Sequence, residues 1–286
     1  MPLLALEGEE LEGAKQNRVL QTTVLLAPGT VTRIPVNCVE ARRWNYSGAE
    51  HFTHSGFHSP KRQRLRKTRS VNQSLKVAQS FCGNQAETWN GVSEMEGAFA
   101  SPSPTGASKN VYLAAARFVD EALSAFPCHD EQVGLIVINK QRSIEGFDIV
   151  PNKAVYADNH IGLVRSYVMS IVLEEKLQRA APLDPAGQEP HSDADLVDAS
   201  REFMAKLFSD GSKSRFPGAG LGTELRYEGL ETVGSALVYE DDVVHCKCFK
   251  HNGQSSDSNP RQAQGFRRAV RRSRRWVQLL EVPWAE

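Results

Sequence analysis

Two short stretches near the start of the chain hold side chains that can do chemistry: Glu9-Glu10 with Gly13-Ala14-Lys15-Gln16-Asn17-Arg18, and Cys38-Val39-Glu40 with Arg43-Trp44. Lysine and arginine meet anionic groups, and a Gly-Ala pair lets the backbone approach a ligand closely. Trp44 offers a face for stacking. Glu9, Glu10 and Glu40 are the candidate catalytic residues, because carboxylates bind hydroxyls, hold a divalent cation or act as general base. Lys15, Gln16, Asn17, Arg18, Arg43 and Trp44 are the candidate ligand-binding residues. A structural alternative stands beside each. Glu40 and Asn17 can simply pair with each other, Arg18 can bridge to Glu9 or Glu10 in an ion network, and Trp44 can cap a hairpin or enter the core.

The element that must bring the two stretches together lies between them. Val19 to Leu26 and Val31 to Val39 are rich in Val, Ile, Leu and Thr, and Pro28-Gly29 suits the two central positions of a type II turn. The expectation is a β-hairpin in which facing residues have numbers summing to about 57, placing Asn17 opposite Glu40 and Lys15 beside Arg42. Pro35 cannot donate to a ladder, so its strand has an edge or a bulge. Leu3 to Leu6 read as a strand beginning at Met1 with no preceding segment to pair with, as though an upstream part of the domain were absent.

Length and composition bound the class. At 286 residues with 40% hydrophobic content the chain can bury one large core or two ordinary ones. A formal net charge of zero demands neither nucleic acid nor membrane as partner. Five cysteines with no Cys-x-x-Cys form neither a disulfide framework nor a zinc site, which suits a reducing cytoplasm. Cys246 and Cys248 share a strand face without a second pair to complete a tetrahedral metal site. The first residues lack a basic n-region and are not a signal peptide, and no apolar run reaches the ~18 residues of a spanning helix. Walker A, Gly-x-Ser-x-Gly and His-Glu-x-x-His motifs are absent, and no cofactor follows from the residues.

Further along, Ser59-Pro60 resembles a helix N-cap followed by Pro at the first helical position. Seven Lys or Arg follow between Lys61 and Lys76, with a thin apolar stripe of Leu65, Val71, Leu75 and Ala78. They read either as a solvated helix face or, through Arg69, Gln73 and their neighbours, as groups leaning towards an anionic ligand. Helices are expected after Asn110 to Phe126, over Ile161 to Leu177 and over Leu196 to Leu207. Hairpins are expected over Gly134 to Val150, around Lys140-Gln141-Arg142, and over Gly234 to Phe249, around Glu240-Asp241-Asp242. The whole is an α+β fold, an N-terminal antiparallel β-sheet or sandwich with helices and further β-hairpins packed on it, in one domain over 1–249. Residues 250–286 form a basic tail, expected to be poorly ordered, with Arg267 to Arg275 as its charged centre. His245 reads as a satisfied strand residue or a catalytic base, Cys38 and Cys246 as small apolar fillers.

The run Glu7-Gly8-Glu9-Glu10-Leu11-Glu12-Gly13-Ala14-Lys15-Gln16-Asn17-Arg18-Val19-Leu20, followed by Ile34-Pro35-Val36-Asn37-Cys38-Val39-Glu40 and Arg43-Trp44, resembles the signature of a bacterial family. This is the ARG and rhodanese-phosphatase-superfamily-associated protein domain, named for lying beside ADP-ribosylglycohydrolases and rhodanese-like phosphatases. Ser59-Pro60, Gln85 with Trp89, Ser103-Pro104-Thr105-Gly106, Leu163 to Tyr167 and Val243-Val244-His245 agree with it, so the likeness covers about residues 3 to 249. Against that family the chain is expected to lack opening strands, and the basic tail has no counterpart. Through neighbourhood alone, the resemblance implies binding or processing of an ADP-ribose-like or NAD-derived phosphorylated metabolite at the open end of the first hairpin. Lys15, Arg18 and Arg43 would meet its phosphates, Trp44 its base, and Glu9, Glu10 and Glu40 its ribose hydroxyls.

A non-catalytic interaction module, docked on a partner enzyme of ADP-ribose metabolism through the same residues, is the alternative. A concave pocket containing Glu9, Lys15, Arg18 and Glu40 favours a ligand; a flat surface favours a partner. A weaker third reading has the arginine-rich tail binding nucleic acid.

Overall fold

The structure, a computed structural model, describes residues 1–45, 50–139, 143–178, 193–209, 212–251 and 278–281. They form two compact units, the first drawn from Met1–Pro127 and Ile161–Leu183, the second from Cys128–His160 and Asp184–Glu286. Both mix helices with mainly antiparallel sheet, the expected α+β class.

In the first unit, β2 (Glu9–Gly13), β3 (Arg18–Leu20), β5 (Val36–Cys38) and β6 (Phe52–His58) make a four-stranded sheet in the order β5-β3-β2-β6. Strand β3 pairs antiparallel with β5 as Arg18↔Cys38, Val19↔Asn37 and Leu20↔Val36, so facing numbers sum to 56 rather than 57. The predicted hairpin therefore exists only at its open end. Past Leu20 the chain bends through Gln21, Thr22 and Thr23, all buried, and β4 (Val24–Leu26) pairs with β1 (Leu3–Ala5) instead of with the residues after Gly29. The opening strand thus has a partner that local pattern could not identify. Gly29 takes the positive φ of 67° that the Pro-Gly turn requires. Pro35 lies beside an edge strand, as expected, and Gln85 covers that edge: its carboxamide accepts from Cys38 N at 2.7 Å and donates to Cys38 O at 2.9 Å.

Three helices of this unit follow: α1 (Lys61–Ala78), α2 (Gln85–Ala98) and α3 (Ser108–Ala125). Pro60, not Ser59, occupies the N-cap of α1, and Ser59 Oγ donates to Glu10 Oε1 at 3.2 Å instead of capping the helix. The basic residues of α1 also depart from a solvated face. Lys61, Arg64 and Lys67 recur at helical spacing with Val71 and Leu75 and are all buried, and Glu7 in the turn before β2 supplies the counter-charge of Arg64 and Lys67. Asn84 caps α2, accepting from Glu87 N at 3.2 Å.

The second unit holds β7 (Gly134–Ile138), β8 (Ile144–Ile149), β9 (Ser212–Pro217), β10 (Thr223–Glu228), β11 (Thr232–Tyr239), β12 (Asp242–Lys250) and β13 (Gln278–Glu281), in the order β13-β7-β8-β12-β11-β10-β9. Both predicted hairpins are present, β7–β8 and β11–β12; residues 140–142 lie outside the described residues. Glu240 and Asp241 both take positive φ, which the tight turn between β11 and β12 demands. Helix α5 (Asp193–Ser209) contributes Leu196 and Phe203 to a core with Ile136, Phe147, Cys246 and Cys248. Helix α4 (Lys153–Gln178) runs through both units in sequence. The arginine-rich run of the tail lies outside the described residues, while β13 pairs parallel with β7.

Candidate functional site

At the open end of the β3–β5 ladder the two polar stretches do meet. Asn17 N donates to Glu40 Oε2 at 3.2 Å and Gln16 Nε2 to Glu40 O at 2.9 Å. Arg43 locks the group: it lies 2.7 Å from Glu40 Oε2 and donates to Asn17 Oδ1 at 3.1 Å and Ala14 O at 2.8 Å. Arg18 turns to Gln16 Oε1, at 3.2 Å, and to Cys38 Sγ, not to Glu9 or Glu10. Gln16, Asn17 and Glu40 are buried, and the donors are spent on one another. Lys15 is exposed, and Trp44 is 64% exposed instead of entering the core. Gly13 serves the fold here, since a Cβ at that position would stand 2.3 Å from the His51 carbonyl oxygen.

Glu9 and Glu10 point to opposite faces of β2, as adjacent strand residues must. Glu9 Oε1 accepts from Leu6 N at 2.6 Å, with His54 Nε2 3.7 Å from its other oxygen. Burial pushes the Glu9 carboxyl up to about 7, partly offset by the Leu6 N–H. Glu10 lies elsewhere, in a narrow cleft lined by residues of β2, β3 and the three helices α1, α2 and α3, with Val39 beyond β5.

Glu10 is the one predicted site residue that lines this cleft. Its carboxylate accepts hydrogen bonds from the hydroxyls of Tyr112 at 2.5 Å and Ser59 at 3.2 Å on Oε1, and of Ser108 at 2.7 Å on Oε2. Ser59 precedes α1 and Ser108 opens α3, so the carboxylate sits where two helices begin. Burial raises the Glu10 carboxyl above its ordinary range, against the pull of the three hydroxyls and of Lys67. Tyr112 is held well above the usual phenol range by burial and by Glu10. Lys67 Nζ, 2.7 Å from Glu7 Oε1 and 3.0 Å from Leu20 O, is pulled down by burial with Glu7 opposing.

Towards the mouth stand Gln63 and Arg66 of α1, with Asn84, Glu87 and Thr88 at the start of α2. Arg66 Nη1 is 2.7 Å from Glu94, which Arg62 also meets at 2.8 Å, so two cations share one carboxylate. The sequence offered α1 as an alternative anion-binding element through Arg69, Gln73 and their neighbours; the cleft is lined instead by Gln63, Arg66 and Lys67 of that helix, and the residues of α2 were not foreseen. The available signal was the repeat of basic residues at positions 61, 64 and 67, which puts charge where an amphipathic helix puts its apolar stripe.

In the second unit His245 Nε2 lies 3.0 Å from Asp148 Oδ1, both buried, while Cys246 packs in the core on the opposite face. Among the described residues, no three or more His, Cys, Asp or Glu side chains are grouped to hold a metal ion, and no helix is long and apolar enough to cross a membrane.

Neither the curated proteins nor the solved structures compared contain a match to the chain. The family model for the ARG and Rhodanese-Phosphatase-superfamily-associated Protein domain, ARPP-1, matches residues 1–249. The match spans residues of both units, from Glu10 in the cleft and the Glu40–Arg43 lock to His245 on β12, and the chain is a member of the ARPP-1 family.

Proposed function

We propose that the first unit binds a phosphorylated, ribose-bearing metabolite of the ADP-ribose type, and that it does so in the Glu10 cleft. The observation that carries this reading is the donor set of one concavity. Arg66 and Lys67 supply positive charge for phosphate, Ser59, Thr88, Ser108 and Tyr112 supply hydroxyls, and Gln21, Gln63 and Asn84 supply amides. Three of the roughly four acceptor positions on the Glu10 carboxylate are used by the protein's own hydroxyls, which leaves one on Oε2 for a ligand hydroxyl. The family's association with ARG and rhodanese-phosphatase proteins supports the same class of ligand. Arg18 and Arg43 then have the role of holding the scaffold, and Glu40 that of the internal counter-charge of Arg43.

A thermal-shift screen of the full chain against ADP-ribose, NAD, AMP and ribose 5-phosphate, with and without magnesium or manganese, tests the proposal. Specific binding raises the melting temperature by mass action, and Arg66→Ala removes the rise. A folded protein that responds to none of them would favour the second reading, an interaction module docking on a partner enzyme. Trp44, 64% exposed beside the Glu40–Arg43 lock, is the observation on that side.

A further inference from the structure

Gln21 lines the Glu10 cleft with no solvent exposure, and its side-chain oxygen has no hydrogen-bond partner among the described residues. The amide orientation follows from its other end. Nε2 lies 3.3 Å from the carbonyl oxygen of Val19, an acceptor that only an N–H can meet. The oxygen rests against Gly83, where a Cβ would stand 2.0 Å from it. Buried acceptors are nearly always paired, and an exception inside a concave site marks a missing partner.

We infer that the ligand of this cleft carries a neutral N–H donor, a carboxamide or an exocyclic amine, which pairs with Gln21 Oε1. This rests on the reading of the cleft as a phosphorylated-metabolite site and adds a specificity determinant to it. Phosphate and carboxylate groups accept only and would face this oxygen with repulsion, so the anionic part of the ligand lies towards Arg66 and the donor-bearing part towards Gln21. A ligand lacking the donor leaves the oxygen orphaned and is rejected, as in sites built around a buried polar partner.

Two matched pairs of probes isolate this one contact: nicotinamide mononucleotide against nicotinic acid mononucleotide, and AMP against purine riboside 5′-monophosphate. Each pair shares ribose and phosphate and differs in the donor. With the full chain, calorimetry should give a preference of at least about tenfold for the donor-bearing member of one pair. Gln21→Met should erase that preference in a protein that still unfolds cooperatively. Gly83→Ala, which displaces the carboxamide but keeps its chemistry, should weaken the preference as well. Equal affinity within both pairs would overturn the inference and leave the cleft reading standing, as would binding of ribose 5-phosphate alone. Failure of every probe would overturn both.

Discussion

The Tyr112 hydroxyl donates to the Glu10 carboxylate at 2.5 Å, and both side chains are buried. This ties β2 to α3 across a separation of 102 residues and fixes the inner end of the cleft. Hydrogen bonds to ionised groups contribute more than neutral ones, so Tyr112→Phe should cost about 1.5–3 kcal/mol. Urea unfolding measures it; a loss within error would mean that Ser59 and Ser108 hold the carboxylate unaided.

Glu7 is the shared counter-ion of Arg64 and Lys67, with distances of 3.0 and 2.7 Å and all three side chains nearly or fully sealed. Removing a lone anion from such a group strands buried cations. Glu7→Leu should therefore destabilise by about 3–5 kcal/mol, and adding Arg64→Met with Lys67→Met should recover most of that. A triple variant no more stable than the single one would show that the cations are held by other partners.

Stability should depend on pH through Glu9. Its carboxyl titrates near 7 in the folded chain against 4.5 ordinarily, because burial disfavours the charge. Between those values the folded state keeps a proton that the unfolded state has released. The contribution is complete below 4.5 and is lost as pH rises through 7. Glu9→Gln should flatten this decline and exceed wild-type stability above it by about 1–3 kcal/mol. Parallel stability profiles for the two proteins across the interval would refute the assignment.

Arg43→Ala should unlock the hairpin end. It strips the buried Glu40 carboxylate of its cation and Ala14 and Asn17 of a donor, for a loss of about 3 kcal/mol. Ligand-induced thermal shifts, scaled to the weaker protein, should persist, since Arg43 does not line the cleft. Loss of the shift with unchanged stability would return the binding site to the hairpin.

Arg66→Ala should do the reverse. Its partly exposed pair with Glu94 contributes at most about 1 kcal/mol to stability. The shift produced by a phosphorylated ligand should vanish.

The local pattern was enough for elements whose signals are short-range. Short apolar, β-branched runs flanking turn residues announced β7, β8, β11 and β12, and 3.6-residue spacing announced α3, α4 and α5. Others were silent. Strand β6 reads Phe-Thr-His-Ser-Gly-Phe-His, with too few apolar positions to alternate, and α2 is held by its Asn84 cap and its packing more than by any apolar stripe. Of the predicted site residues, Gln16, Asn17, Arg18, Glu40 and Arg43 do come together, at the open end of the β3–β5 ladder and one residue out of the counted register.

What the sequence by itself determined is the family, the α+β class and the meeting of the two polar stretches, all of which follow from motif, periodicity and a chain reversal. Only the tertiary structure decided which of those polar groups are consumed by the fold. Glu9 and Glu10 are chemically identical neighbours, yet the pleat sends one towards His54 and the other into a cleft among three helices. The inward turn of Arg64 and Lys67 was likewise decided at long range, since a buried cation is tolerable only where an anion such as Glu7, more than fifty residues away, is folded against it.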